Sequence, residues 1–209
     1  MKNNASVLVI AITTGILVLL GSVIVFSILN SGAGNQSGNT ANRGSPPASL
    51  AELLNKPAPS FSLTDLQGKV YTNETLRGKN VILFFNEGLM CYPACWNQMI
   101  SLGDDARFKA DGILAFSVVV DQKSEWQPAI DKMADLGKVT ALYDMDKTVS
   151  RAYGALNAPS SMHAGSMPGH TYVLLDKDGI VRFTLDDPRM GIHNDELAQM
   201  LGQLNNAQL

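Results

Sequence analysis

The chain has two cysteines, Cys91 and Cys95, and both lie in the stretch NEGLMCYPACWNQM at residues 86–99. Two thiols at this spacing could take part in three kinds of chemistry. They can exchange electrons as a disulfide, bind a soft metal ion, or share the reduction of a peroxide. Two cysteines are too few to staple a disulfide-rich scaffold, so a bond between them is not expected to hold the fold together.

The cysteines follow a predicted strand directly. The apolar run at 80–85 is typical of a strand buried on both faces, and a helix is predicted from about 93 to 108. The amino end of a helix has unpaired N–H groups that stabilise a thiolate at Cys91. Cys95 comes one turn later, which puts the two Cα atoms roughly 6 Å apart, within disulfide range. We predict Cys91 as the attacking thiolate and Cys95 as the resolving thiol.

The rest of the chain alternates between strand and helix patterns. The predicted elements are a hairpin of 58–63 and 68–71, a strand at 113–120, a helix at 125–136, a strand at 140–143, a short helix at 148–153, a hairpin of 171–175 and 180–183, and an amphipathic helix at 194–204. Parallel crossovers followed by an antiparallel hairpin predict an α/β fold with a mixed sheet and helices on both faces.

The first segment predicts a membrane anchor. Residues 7–29 carry no charge, and a helix of that length would be roughly 35 Å long, enough for a bilayer core of about 30 Å. A cleaved secretory signal, whose apolar core is usually shorter, is the less favoured alternative. Lys2 and the amino terminus form the positive cluster before this segment, and Arg43 is the first cation after it. This excess of positive charge before the segment predicts that the amino terminus stays in the cytoplasm and that the chain after the segment is exported.

Three segments follow from these patterns. Residues 1–29 are the transmembrane anchor, residues 30–49 a flexible Gly/Ser/Asn/Pro linker, and residues 50–209 one domain. We therefore predict a single-pass protein of the cell membrane with its carboxy-terminal domain extracytoplasmic. The chain is 45% hydrophobic, enough for a core, and its net charge of −3 gives no reason to expect a nucleic-acid partner.

Four segments carry a family resemblance. They are APSFSLTDLQGK from Ala58, VILFFNEGLMCYPACWNQ from Val81, YDMDKTVSRAYGAL from Tyr143 and PGHTYVLLDKDG from Pro168. With them, the domain resembles the thioredoxin-fold redoxins of the alkyl hydroperoxide reductase/thiol-specific antioxidant group, which includes peroxiredoxins and membrane-tethered thiol-disulfide oxidoreductases. The resemblance implies a thioredoxin-like fold and an oxidoreductase acting on thiols, disulfides or peroxide, with antioxidant activity among the expectations.

The resemblance also points to two further residues. His170 stands where such folds place a cis-proline against the active cysteines, which implies that it faces Cys91 and stabilises a thiolate, moves a proton or binds metal. Glu87 is either a proton acceptor for the second thiol or a solvated loop acid. We predict Cys91, Cys95, His170 and Glu87 as the catalytic group of a thiol-disulfide oxidoreductase without a cofactor. Its partner would be a protein or small-molecule thiol or disulfide.

Two alternatives stay open. The pair is C-x3-C, whereas thiol-disulfide oxidoreductases usually have C-x-x-C, and the same spacing resembles Sco-type copper proteins; under that reading Cys91, Cys95 and His170 would bind copper. A thiol peroxidase of the peroxiredoxin kind is the second alternative. Its motif has Thr or Ser three residues before the attacking cysteine and an arginine across the site. This chain instead has Gly88 three residues before Cys91 and Tyr92 three residues before Cys95, and its sequence has no arginine near His170.

Overall fold

The structure is a computed structural model and describes residues 49–207. Within that range seven strands form one sheet: β1 (Ser62–Thr64), β2 (Val70–Thr72), β3 (Asn80–Phe85), β4 (Ile113–Val119), β5 (Thr140–Tyr143), β6 (Thr171–Leu175) and β7 (Val181–Asp186). Their order across the sheet is β2-β1-β5-β4-β3-β6-β7. β3, β4 and β5 are parallel neighbours, and the other pairings are antiparallel. The predicted mixed sheet is confirmed.

Four α-helices accompany the sheet in the described part of the chain. They are α1 (Ala94–Asp104), α2 (Lys123–Lys132), α3 (Thr148–Ala152) and α4 (Asn194–Ala207). Short 3-10 turns lie at Leu50–Leu53, Gly88–Met90, Ala106–Lys109, Ala134–Lys138 and Ala155–Asn157. The order of strands and helices is therefore the predicted one.

The helix predicted at 93–108 is shorter in the structure, and the reason is local. Asp105 has an extended backbone (φ −69°, ψ 115°), which ends α1. Its side chain accepts a hydrogen bond from the backbone N–H of Arg107 at 3.0 Å, so it starts a 3-10 turn instead. The helix predicted at 125–136 likewise ends at Lys132, because Met133 leaves the helical region (φ −142°, ψ 88°).

β3 lies at the centre of the fold and is buried on both faces, as its unbroken apolar sequence predicted. Alternate side chains of a strand point to opposite faces. Val81, Leu83 and Phe85 therefore belong to one core, which α3 covers. Ile82 and Phe84 belong to the other core, which holds both cysteines and is covered by α1, α2 and α4. Helices thus lie on both faces, and the cysteines belong to the face with three of them.

The predicted anchor at 1–29, and all but the last residue of the predicted linker at 30–49, lie outside the described residues. Among residues 49–207, no helix has the length and apolar character needed to cross a bilayer.

Candidate active site

A buried asparagine fixes the loop between β3 and the cysteines. The Nδ2 group of Asn86 donates to the carbonyl of Phe84 at 3.1 Å and to Oγ of Ser117 at 2.8 Å. Its Oδ1 atom accepts from the backbone N–H of Gly88 at 2.9 Å. Because a buried amide with all these partners is costly to disturb, the chain leaves β3 in one defined direction.

Gly88 is the tightest point of this loop. Its φ is +59°, and a Cβ atom there would lie 1.8 Å from Oδ2 of Asp121. The Asp121 carboxylate also accepts from the backbone N–H of Leu89 and from Nε1 of Trp126, both at 3.3 Å. Burial raises the pKa of Asp121, against the lowering effect of these hydrogen bonds. Only glycine fits at residue 88 with the acid in place.

The two cysteines form a disulfide. Their Cα atoms are 5.3 Å apart, close to the separation predicted from one helical turn. Cys91 ends the 3-10 turn at Gly88–Met90, and Cys95 is the second residue of α1. The exposed fractions are only 3% for Cys91 and 1% for Cys95, so the pair is covered on every side. Their roles as attacking and resolving thiols stay predictions.

His170 lies against the second cysteine. Its Nδ1 atom is 3.6 Å from Sγ of Cys95, whereas the sequence predicted that the ring faces Cys91. The ring meets Phe84 edge-on, with centroids 4.7 Å apart, and its Nε2 atom lies 3.1 Å from the carbonyl of Gly191. Burial lowers the pKa of His170 to about 4, so the imidazole is uncharged at neutral pH.

The hydrogen bonds around His170 determine its tautomer. The Gly191 carbonyl only accepts, so Nε2 of His170 carries the proton and Nδ1 presents a lone pair to Cys95. The hydroxyl of Tyr172 lies 2.8 Å from the same Nε2 atom and donates to Oε1 of Gln98 at 3.0 Å. The nitrogen next to the sulfur is therefore an acceptor, ready to take a thiol proton.

Met190 covers the first cysteine. Its Sδ atom lies 4.0 Å from Sγ of Cys91. Met190 has a φ of +53°, a left-handed conformation that is uncommon for a residue with a side chain. It belongs to the loop 187–191, which joins β7 to the segment before α4.

Asp187 holds this loop in place. Its carboxylate accepts from the backbone N–H of Arg189 at 2.9 Å and of Gly191 at 2.7 Å, and lies 2.8 Å from Nε2 of His193. Burial alone would raise the pKa of Asp187, but these hydrogen bonds outweigh it and hold that pKa below its ordinary value. The backbone N–H of Asp187 also donates to the carbonyl of His170 at 3.0 Å. The loop and the histidine are therefore one connected unit.

Glu87 is buried, with 1% of its surface exposed, and its contacts are with the loop at 161–163. Its Oε1 atom accepts from the backbone N–H groups of Met162 at 2.8 Å and His163 at 3.1 Å, and from the Ser161 hydroxyl at 3.4 Å. Its Oε2 atom lies 3.0 Å from Nδ1 of His163. These contacts favour a role as anchor of that loop, and its role as proton acceptor stays a prediction.

The sequence of residues 54–184 matches the AhpC/TSA family. The chain belongs to that family. A chloroplastic peroxiredoxin Q from Sedum lineare is 29% identical over 153 residues, which cover 70% of this chain and 76% of the relative. The thiol-disulfide oxidoreductase ResA of Bacillus thuringiensis subsp. konkukian is 29% identical over 129 residues, which cover 61% of this chain and 66% of the relative.

Solved structures of peroxiredoxins have the same fold as this AhpC/TSA protein. The reduced 2-Cys peroxiredoxin of Plasmodium vivax aligns with a TM-score of 0.63 at 21% identity, covering 75% of this chain and 83% of that one. The mitochondrial 2-Cys peroxiredoxin of Plasmodium falciparum gives 0.64 at 18% identity, with coverage of 75% and 96%. These alignments confirm the thioredoxin-like α/β fold. Together with the family match and the relatives, they make the chain an oxidoreductase acting on thiols, disulfides or peroxide.

Three site residues of this AhpC/TSA chain were not predicted from the sequence although a signal for each was present. Gln98 lies three residues after Cys95 on α1, and Tyr172 lies two residues after His170 on β6. A spacing of three on a helix places Gln98 on the same face as Cys95, and a spacing of two on a strand places Tyr172 on the same face as His170. Asp121 also had a signal, since it follows β4 at the edge where β3 ends. Met190 had none, because it belongs to a loop without periodicity.

Among residues 49–207, no group of three or more His, Cys, Asp or Glu side chains is arranged to hold a metal ion. Cys91, Cys95 and His170 do lie together, but the two sulfurs are joined to each other. Copper binding by the reduced chain stays a prediction.

Proposed function

We propose that this AhpC/TSA protein is a thiol-disulfide oxidoreductase that uses the Cys91–Cys95 pair. The observation that carries the proposal is the disulfide between Cys91, at the end of the 3-10 turn, and Cys95, the second residue of α1, with the lone pair of His170 Nδ1 at 3.6 Å from Cys95 Sγ. A resolving thiol must lose its proton before it attacks, and this nitrogen is placed to accept it.

The reaction begins with the reduced pair. The Cys91 thiolate attacks one sulfur of a substrate disulfide, the substrate S–S bond breaks, and the other substrate sulfur leaves as a thiolate that takes up a proton. Cys95 then gives its proton to Nδ1 of His170 and attacks Sγ of Cys91. The mixed disulfide breaks, and the second substrate thiolate leaves and takes the proton from His170. Two electrons have passed from the protein thiols to the substrate, and the Cys91–Cys95 disulfide remains.

The low pKa of His170 belongs to the oxidised state, in which burial disfavours the imidazolium. A negative charge forming on Cys95 at hydrogen-bond distance would stabilise the imidazolium and raise that pKa. Proton transfer to His170 is therefore coupled to the formation of the thiolate. This half-reaction uses only side chains of the chain and needs no cofactor. A donor thiol must then reduce the Cys91–Cys95 disulfide, by the same exchange steps in reverse, to complete the cycle.

Peroxide reduction is the second candidate, because a peroxiredoxin Q is among the relatives. The resemblance implies a hydroxyl three residues before the attacking cysteine, and Gly88 supplies none. The space beside Gly88 is filled by the Asp121 carboxylate, an acid rather than a hydroxyl. The resemblance also implies an arginine across the site. Arg189 belongs to the loop next to Cys91, but its side chain is exposed, and its Nε atom lies 3.7 Å from Oδ1 of Asp187. These contacts favour disulfide exchange over peroxide reduction.

We also propose that the protein is a single-pass protein of the cell membrane, with its redox domain extracytoplasmic. The support is the uncharged segment 7–29 and the cation that precedes it. A protein or small molecule with a thiol or disulfide outside the cytoplasm is then the expected partner.

Thiol counting and turnover test the proposed function on the full chain in detergent. We expect two free thiols after reduction, none after mild oxidation, and no intermolecular dimer. The Cys95→Ser variant should trap a mixed disulfide with a protein substrate such as insulin, and Cys91→Ser should not. Thiols that persist under oxidant would remove the proposal.

Two other results would support one of the alternative functions instead. Rapid loss of hydrogen peroxide, with a sulfenic acid on Cys91 in the Cys95→Ser variant, would support the peroxidase. Tight one-to-one retention of Cu(I) by the reduced chain, abolished by His170→Ala, would support the copper alternative.

A further inference from the structure

The disulfide is closed to an incoming thiol. Exchange requires a thiolate to reach one sulfur while the other leaves. Cys95 is 1% exposed and has α1 and His170 around it, whereas Cys91 is 3% exposed and has the exposed residues Met90 and Tyr92 on either side in the chain. Cys91 is therefore the sulfur nearer to solvent, and something must move before it can react.

Met190 is the residue over Cys91. The two sulfur atoms are 4.0 Å apart, which is contact distance, and Met190 is partly exposed. Met190 is one of three described residues other than glycine with a positive φ, the others being Asn55 and Lys147. A side chain held in this uncommon conformation beside a reactive group needs surroundings that fix it there.

The surroundings are the hydrogen bonds of Asp187. They hold the backbone on both sides of Met190, through the N–H groups of Arg189 and Gly191. The N–H of Met190 itself donates to the carbonyl of Asp187 at 3.0 Å. The loop 187–191 thus has a fixed backbone and one flexible thioether side chain placed on the sulfur.

We propose that Met190 is a cap on Cys91 and a specificity-determining residue for disulfide exchange. The inference rests on the proposed function and adds to it. The thioether excludes small hydrophilic thiols, which offer no apolar surface to displace it. A substrate with apolar residues beside its own sulfur can replace the Met190 contact with contacts to the exposed side chains of Met90, Tyr92 and Ile192.

Reduction by dithiothreitol measures the cap directly. One dithiothreitol thiolate attacks Cys91 Sγ, the Cys91–Cys95 bond breaks, and Cys95 leaves and takes up a proton. The second dithiothreitol thiol then attacks the mixed disulfide as a thiolate, closes the oxidised ring, and releases Cys91. Two electrons pass from the reagent to the protein.

The experiment compares rate and equilibrium constants of this reduction in the full oxidised chain. We expect Met190→Ala to react about tenfold faster than the wild type, with an equilibrium constant within about twofold, because a cap lowers forward and reverse rates together. Met190→Gly, which accepts the positive φ, should also be fast, and provides a second test should Met190→Ala fold poorly. Met190→Leu keeps the bulk and should stay near the wild-type rate. Met162→Ala, at an exposed methionine of the loop 161–163, is the control and should change nothing.

Three results would overturn the cap. The first is a wild-type rate in Met190→Ala and Met190→Gly, and the second is an equal gain in Met162→Ala, which would indicate general loosening. The third is an equilibrium constant that shifts as much as the rate, which would make Met190 a stabiliser of the disulfide. The proposed function fails separately, when the wild type does not turn over a protein disulfide although dithiothreitol reduces it.

Discussion

The Nδ1 atom of His170 lies 3.6 Å from Sγ of Cys95, across 75 positions of sequence. Cys95 is therefore the sulfur in contact with a base, while Cys91 is the sulfur in contact with Met190. This division suits a pair in which Cys91 meets the substrate and Cys95 completes the exchange. The attacking thiol needs access, and the resolving thiol needs its proton removed at the right moment.

The stability of the oxidised chain should depend on His170 in mildly acidic solution. Its folded pKa is about 4, below the ordinary value of 6.5, so the unfolded chain binds a proton first as the pH falls. Stability from this residue is complete above about pH 6.5 and is lost as the pH approaches 4, by about 3 kcal/mol. Urea denaturation of the oxidised chain at a series of pH values measures the loss.

The matched variants isolate the histidine. His170→Gln should lose this part of the pH dependence, whereas His163→Gln, with its more exposed ring, should retain it. Curves of the wild type and His170→Gln that run parallel from pH 7 to pH 4 would show that the imidazole is not held neutral by burial.

Gln98 should control which nitrogen of His170 carries the proton. In Gln98→Leu the Tyr172 hydroxyl loses its nearer acceptor. It then turns toward Nε2 of His170, 2.8 Å away, which is closer than its second acceptor, the Gly191 carbonyl at 3.4 Å. That favours a proton on Nδ1, which then points at Cys95 and cannot accept. We expect nitrogen chemical shifts of the ring to report the change of tautomer, and release of the mixed disulfide by Cys95 in single-turnover kinetics to slow by about tenfold.

A double variant tests this reasoning. Gln98→Leu combined with Tyr172→Phe removes both the acceptor and the displaced donor, so the Gly191 carbonyl again decides the tautomer. The nitrogen shifts should return to those of the wild type. If the ring of Gln98→Leu already shows the wild-type pattern, the hydroxyl does not compete for Nε2.

Gly88 should tolerate no side chain. A Cβ atom would meet the Asp121 carboxylate at 1.8 Å, and φ is +59°. Gly112→Ala is the control, since that residue has φ +85° but nothing within 4 Å of the added atom. We expect Gly112→Ala to cost about 1 kcal/mol of unfolding free energy and Gly88→Ala about 3 kcal/mol or more, because a clash is added to the backbone cost. Equal losses in the two variants would mean that Asp121 moves aside freely.

Periodicity predicted the frame that holds the cysteines. The strands at 80–85, 140–143 and 171–175 have the predicted bounds, because apolar runs of that length have one stable place, inside a sheet covered on both faces. The closeness of Cys91 and Cys95 was predicted from the rise of one helical turn, although Cys91 itself lies before α1, at the end of the 3-10 turn. These features depend on interactions between near neighbours in the sequence, which a pattern records.

Contacts between segments that are distant in the sequence could not be predicted from periodicity. His170 was predicted beside the pair, but which sulfur it meets depends on where α1 begins, and Ala94 begins it after both Tyr92 and Pro93. The position of Met190 depends on the Asp187 hydrogen bonds within an irregular loop. Such contacts join segments with no shared period, so only the three-dimensional arrangement shows them.

Glu87 is the residue for which the sequence left two roles open, and two substitutions separate them. Glu87→Gln keeps an oxygen to accept from the N–H groups of Met162 and His163 but removes the carboxylate. Glu87→Ala removes both. The contacts of Glu87 favour the anchor, so we expect Glu87→Gln to resolve the mixed disulfide through Cys95 at the wild-type rate and with the wild-type pH profile in single-turnover kinetics.

Glu87→Ala should instead free the loop at 161–163, because two backbone N–H groups in partly buried hydrogen bonds lose their acceptor, at a cost of about 2 kcal/mol. Amide hydrogen exchange at Met162 and His163 measures this directly, and both should exchange faster than in Glu87→Gln. The opposite pattern, a slow release step in Glu87→Gln with protected amides in Glu87→Ala, would return Glu87 to the role of proton acceptor. The comparison is decisive because the two roles need different atoms: an anchor needs only an accepting oxygen, whereas a proton acceptor needs the negative charge.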